Sequence, residues 1–251
     1  MSQNDGLGRI ETAMVMAAGL GTRMRPLTDD RPKALVELSG RALIDHALDR
    51  LADDGVARAI VNVHHYADDL EAHLASRERP RIEISDERSQ LLETGGGLAK
   101  ARPMLGEGPA FVVNIDSVWR EPAEAGAQGL GALAALRAAW RGEAMDFLLL
   151  LTPRESALGF AGPGDFFLDG DGRLTHRGDA AAAPYAFMGV QIINPSVCEG
   201  RKIEPFSTWV YWKEALARGR LFGVVFGGQW MHVGDPKARD DAEARLADSA
   251  R

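Results

Sequence analysis

The sequence predicts an α/β fold, doubly wound around a mostly parallel sheet, and three observations predict it. Short, wholly apolar runs, the pattern of strands buried on both faces, recur along the chain. They alternate with segments whose apolar residues fall at helical spacing, so that β and α elements succeed one another. Two of the junctions carry glycines at the carboxyl end of a strand, and a third carries a carboxylate, where ligands of open α/β sheets bind. The whole chain, 1–251, reads as one domain, with a flexible polar lead over 1–12 and a hairpin insertion over 159–180.

Taken in order, AMVMAAG is a wholly apolar strand that runs into a glycine-rich turn. RALIDHALDRLADD, residues 41–54, places Leu43, Ala47, Leu48 and Leu51 on one face of a crossover helix, and Gly55 supplies its stop. ARAIVNVHH is a second strand, and ADDLEAHLASR a helix with Leu70 and Leu74 on one face. RIEIS is a third strand, leading through LLETGGG into the helix LAKARPML. PAFVVNID is a buried strand with Asp116 at its carboxyl end. An alanine-rich helix is expected between Ala123 and Trp140, then a strand from Phe147 to Thr152. GFAGPGDFFLDGDGRLTHRG is expected to form the edge hairpin, turning at Asp169 to Gly172, because DGDG is strong turn chemistry between alternating segments. YAFMGVQIINP, FSTWVYWKEALARG and LFGVVF read as strand, helix and strand, before WMHVGDP and a last helix.

Composition bounds the functional classes. With 45% hydrophobic and 26% charged residues the chain has the make-up of a folded globular protein. A net charge of -7 without any Lys/Arg block argues against nucleic acid as a partner. No apolar stretch approaches the roughly 20 residues of a membrane span, and the amino-terminal residues lack the pattern of an export signal. The single cysteine, Cys198, can form no intramolecular disulfide and fits a cytoplasmic protein. A monomer or small homo-oligomer is expected.

The strongest chemical signal is AAGLGTRMRPLTDDRPKAL, residues 17–35. Gly19 and Gly21 let backbone N–H groups approach a triphosphate, and Arg23, Arg25 and Lys33 offset its charge. The segment is neither a Walker loop, which ends in Gly-Lys-Ser/Thr, nor a dinucleotide fingerprint, which needs a third glycine. The second signal is VVNID, in which Asp116 can ligate Mg2+, an ion that takes one or two carboxylates and fills its shell with water and phosphate oxygens. The third is LLETGGGLAK, where Gly95, Gly96 and Gly97 allow backbone to press against a base or sugar and Glu93 can accept from sugar hydroxyls. A loop before a helix, with Thr94 as cap, accounts for the same residues.

The first of these segments closely resembles the sugar-nucleotide pyrophosphorylase family, whose hallmark is AAGxGTRMRPLT followed by PK. The likeness runs from Met14 to Ala247, and within the family the length and LLETGGG are similar to short bacterial enzymes that uridylylate N-acetylmuramate 1-phosphate in cell-wall salvage. It implies a Rossmann-like, glycosyltransferase-A-type nucleotidyltransferase domain that joins a nucleoside triphosphate, UTP by preference, to a sugar 1-phosphate and releases pyrophosphate. Mannose 1-phosphate guanylyl transfer, or a non-catalytic nucleotide-sugar-binding regulator, are the alternatives. By the resemblance Ala17, Ala18 and Gly19 contact the nucleotide, Arg23 holds the triphosphate and Lys33 stabilises the phosphates during transfer, these two being the catalytic pair, while Asn114 and Asp165 contact the substrate sugar; Gly21, Thr22 and Gly96 are expected to join the nucleotide site. QWMHVGDP is similar to a family W-x-D-x-G-T pattern that supplies a second metal carboxylate, but the residue at that place here is His232. Three readings follow: His232 ligates a metal such as Mn2+, His232 contacts phosphate while Asp116 holds Mg2+, or Asp235 substitutes. Neutral imidazole is a softer ligand than the oxygens Mg2+ prefers.

Overall fold

The structure, a computed structural model, describes residues 9–122 and 130–248. Residues 1–8 of the expected lead lie outside the described residues. The rest of it is docked: Ile10 is buried, and the Glu11 carbonyl accepts from the N–H groups of Ala57 and Arg58.

Strands β1 (Thr12–Met16), β2 (Glu37–Leu38) and β3 (Arg41–Ala42) precede helix α1 (Leu43–Asp53). Strand β4 (Arg58–Val63), helix α2 (Ala67–Leu74), strand β5 (Arg81–Asp86) and helix α3 (Glu93–Leu105) follow. Next come β6 (Ala110–Asn114), β7 (Ser117–Arg120), α4 (Ala132–Ala139) and β8 (Phe147–Pro153). The remainder is β9 (Phe166–Leu168), β10 (Leu174–His176), β11 (Tyr185–Ile193), α5 (Trp209–Ala217), β12 (Leu221–Val225), β13 (Gln229–His232) and α6 (Pro236–Ala247).

The central sheet has the order β10-β9-β11-β6-β1-β4-β5, with β8 and β12 branching from β11. β6, β1, β4 and β5 run parallel, as do β8 and β12. Successive side chains of these strands go to opposite faces. Ala13 and Val15 of β1, with Val61 and Val63 of β4, join the core cluster packed on α1, α2 and α4. Met14 and Ile60 join the cluster packed on α3 and α5. Burial on both faces is the reason these strands are apolar throughout, and it makes the sheet doubly wound.

Where the structure departs from the sequence reading, local causes are visible. β11 runs antiparallel to both β6 and β8, because it is reached from the β9–β10 hairpin and not through a crossover helix. Part of the alanine-rich helix expected between Ala123 and Trp140 falls on residues 123–129, outside the described residues; the described helix is Ala132–Ala139. β7 and β13 form a separate two-stranded ribbon, and a third apolar cluster packs beneath it and α6. Among the described residues no helix is long and apolar enough to cross a membrane.

Candidate active site

At the carboxyl end of β1 the chain turns through the glycine loop. Gly21 adopts φ 64°, and a β-carbon there would lie 2.9 Å from Cβ of Lys33, so glycine lets the lysine segment close onto the loop. The Thr28 hydroxyl donates to the Gly21 carbonyl at 2.9 Å and fastens the far side of the turn. Thr22 and Arg23 follow on a single 3-10 turn with both side chains exposed. Lys33 begins another such turn after Pro32 and is itself buried.

Its amine crosses to the next strand. Lys33 Nζ donates to Asp116 Oδ2 at 2.8 Å, bridging the glycine-loop segment and the end of β6. Asp116 lies two residues beyond Asn114, where β6 gives way to β7. Burial alone would raise the Asp116 pKa, but the His232 contact and the charges of Lys33 and His232 hold its carboxyl well below the usual carboxylate range.

His232 reaches the same carboxylate through the ribbon. It stands opposite Ser117 in the β7–β13 register, and the Val233 N–H donates to the Asp116 carbonyl at 2.9 Å. Its Nε2 is thereby 3.6 Å from Asp116 Oδ2. The Gly159 carbonyl accepts from Nδ1 at 3.3 Å, which leaves Nε2 as the ring nitrogen facing Asp116. A β-carbon at Gly234 would lie 2.7 Å from the imidazole, so glycine there leaves room for the ring. A carboxylate and an imidazole nitrogen at this separation are groups able to hold a divalent ion, which would draw its remaining ligands from phosphate and water. No group of three or more His, Cys, Asp or Glu side chains gathers as a metal site among the described residues. The third reading of this region fails: Asp235 instead caps α6, accepting from the Ala238 N–H at 2.9 Å.

These residues border a cavity of about 550 Å³, within the range of small-molecule sites. Ala18, Gly19, Gly21, Thr22, Arg23, Lys33, Glu93, Asn114 and Asp116 all line it, together with Gly234 beside His232. Four sequence-predicted residues do not: His232, which approaches Asp116 from outside the lining, and Ala17, Gly96 and Asp165. Ala17 is buried and gives its N–H to Asn62 Oδ1 at 2.7 Å. Gly96 lies within α3, not in a loop before it; its N–H, like that of Gly95, donates to the Phe206 carbonyl, and its α-carbon abuts the Glu204 backbone. The close approach those glycines permit is therefore to the 204–206 segment. Asp165 spends its carboxylate on the Phe187 N–H at 2.8 Å, beside the irregularity in β11.

Sequence reasoning missed Asn62 and Ser207, which also line the cavity, and Glu87 behind it. The signal for Asn62 was a polar residue inside the otherwise apolar run AIVNV. Glu87 carried none, because a carboxyl after a strand reads as surface until its burial is seen.

A family model described as nucleotidyl transferase matches residues 12–143. The N-acetylmuramate alpha-1-phosphate uridylyltransferase of Caulobacter vibrioides is 53% identical over 241 residues, spanning 94% of this chain and 97% of that protein. A mannose-1-phosphate guanylyltransferase catalytic subunit beta of Drosophila pseudoobscura pseudoobscura is 28% identical over 247 residues, and the match spans 62% of it. Among solved structures, a UDP-glucose pyrophosphorylase complexed with UDP-glucose superposes with a TM-score of 0.74 at 16% identity, covering 96% of this chain and 99% of that one. The inositol-1-phosphate CTP transferase from T. maritima does so with a TM-score of 0.72 at 18% identity, covering 94% and 98%. At these identities the structural likeness speaks for the fold alone.

Proposed function

This chain belongs to the nucleotidyl transferase family, and from that premise we propose that it joins UTP to N-acetylmuramate 1-phosphate in the cytoplasm, releasing pyrophosphate. The observation that carries the chemistry is the convergence of the glycine loop, Arg23, Lys33 and Asp116 on one cavity. The choice of base and sugar is supported by the 53% identity to the Caulobacter uridylyltransferase, against 28% for the guanylyltransferase subunit.

In this reading a phosphate oxygen of the sugar 1-phosphate attacks the α-phosphorus in line. The new P–O bond forms as the bond from the α-phosphorus to the bridging oxygen breaks, and that oxygen leaves with pyrophosphate. The protein's part is alignment and charge neutralisation. Arg23 and the loop amides take up charge on the departing pyrophosphate. Lys33, buried and already oriented by Asp116, supplies a cation that need not be desolvated when the phosphates enter. Asn114, at the end of β6, and Glu93, across the cavity, face the substrate as hydrogen-bonding groups. Asp116 and His232 would hold Mg2+ or Mn2+, which neutralises phosphate charge when bound.

The test is pyrophosphate release by the purified protein from UTP, CTP, GTP, ATP and dTTP, each with a panel of sugar 1-phosphates and either metal. UTP with N-acetylmuramate 1-phosphate is expected to exceed every other pair by about tenfold or more in kcat/KM. Chelation by EDTA should abolish release, and added Mg2+ or Mn2+ should restore it. A preference for GTP with mannose 1-phosphate would overturn the choice of substrates. Absence of release in every combination would overturn catalysis.

A further inference from the structure

From the cavity wall at Asn62 a buried polar chain runs back into the protein, and the transfer chemistry does not use it. Asn62, on β4, is 3% exposed, and Glu87, just past β5, is 0% exposed. Asn62 Oδ1 accepts from the N–H groups of Ala17 at 2.7 Å and Ala18 at 3.3 Å. Those two donors dictate the orientation of the amide, so the Asn62 NH2 must face the other way. There it meets Glu87 Oε1 at 2.8 Å, and Glu87 Oε2 accepts from the Leu92 N–H at 3.1 Å.

The chain therefore ties together two backbone segments on either side of the cavity: the start of the glycine loop, and residues 91–94, of which Leu91, Glu93 and Thr94 line the wall. Its seat is rigid. The Glu87 N–H donates to the Val63 carbonyl at 2.8 Å, and Nδ1 of His64 bonds the Glu87 carbonyl at 2.7 Å. Gly97 of α3 makes the space, since a β-carbon there would lie 3.0 Å from Glu87 Oε1 and 3.2 Å from the Asn62 amide nitrogen. Every polar atom of the pair is directed at a partner, and a buried network satisfied in this way fixes geometry more firmly than apolar packing does.

We propose that Asn62 and Glu87 are positioning residues for the nucleoside triphosphate: they set the separation between the glycine loop and the 91–94 wall, and through it the affinity for the triphosphate and the discrimination between bases. The proposal rests on the nucleotide-binding reading of the cavity.

The polarity of the link makes a reciprocal test available. Asn62→Asp keeps an acceptor for Ala17 and Ala18 but sets oxygen against oxygen at Glu87. Glu87→Gln sets NH2 against either the Asn62 NH2 or the Leu92 N–H. The double variant N62D/E87Q restores the order of donors and acceptors, with the new amide donating to the new carboxylate and still accepting from Leu92. Leaving one buried partner unsatisfied should raise KM for UTP about tenfold in each single variant, with kcat held within about threefold. The ratio of kcat/KM for UTP over GTP should fall in both.

In the double variant KM and the ratio should return to within about threefold of wild type. Recovery is what a purely structural role for either residue alone would not give. Wild-type KM and base ranking in both singles, or a double variant no better than the product of the singles, overturns the proposal. Should a single variant fail to melt cooperatively, the double decides alone: wild-type KM supports the proposal, and a raised KM or loss of folding overturns it. A wild-type protein that binds no triphosphate by calorimetric titration overturns the nucleotide reading first and the proposal with it, a result separate from any difference between variants.

Discussion

Lys33 is held by one ion pair and by packing against Gly21, and the consequences of removing it separate cleanly. Lys33→Ala takes away the buried cation but leaves Asp116 with a side chain 22% exposed, so water can solvate the carboxylate that remains. Pyrophosphate release should fall by about a hundredfold or more, a loss typical of removing a preorganised charge from developing phosphate charge, while the far-UV circular dichroism stays that of wild type. Turnover near wild type would reject the role assigned to this lysine. Glu93 offers the opposite balance. Its φ of 59° is left-handed, unusual for a residue with a side chain, and it is pinned there because Leu92 is bonded by Glu87 on one side and Gly95 by Phe206 on the other. Strain of this kind costs on the order of 1 kcal/mol and gathers at functional sites. Glu93→Gly should therefore raise the melting temperature by roughly 2 °C while lowering kcat/KM; calorimetry and steady-state kinetics on one preparation check both signs.

At the scale of elements, α3 is the informative one. Alanine in place of Gly97 would add helix propensity of roughly 1 kcal/mol, which by itself favours the variant. Against this stands a methyl pressed to 3.0 Å and 3.2 Å from two polar atoms that are held by hydrogen bonds. The second effect should win: Gly97→Ala lowers the melting temperature and raises KM for UTP with kcat little changed, and a variant more stable than wild type would show that the Asn62–Glu87 pair is free to shift. This element also marks the limit of legibility. The parallel core was readable because burial on both faces forces continuous apolar runs, as in β1 and β6. Gly95 to Gly97 were readable as a place of close approach, but not for which neighbour: the Phe206 carbonyl that takes the Gly95 and Gly96 N–H groups is more than 100 residues away in sequence and leaves no local trace, and Gly97 faces Asn62 and Glu87 instead. Asp165 misled for the same reason, its bond to Phe187 being a property of the β11 irregularity. The Gly19–Arg23–Lys33 constellation was legible because all of it lies in one continuous stretch, whereas Asn62 and Glu87 gain meaning only when β4 and β5 stand side by side.

For the molecule as a whole, Cys198 is a built-in reporter. It is 2% exposed, and burial pushes its thiol up to about 11, so at pH 8 it is both inaccessible and protonated. Labelling by a thiol reagent should be negligible in the native protein, complete in denaturant, and slowed further by UTP if the nucleotide stabilises the fold; rapid native labelling would mean that the 195–215 region opens independently. The last consequence belongs to the β7–β13 ribbon, which sets His232 opposite Ser117 from the far end of the chain. A polypeptide emerging from the ribosome exposes its glycine loop, Lys33 and Asp116 long before residue 232 is synthesised. Until then the Lys33–Asp116 pair can form without the imidazole that stands beside it in the finished fold. The approach of His232 to Asp116 thus waits until one strand of four residues, Gln229–His232, has been made and zips onto its partner.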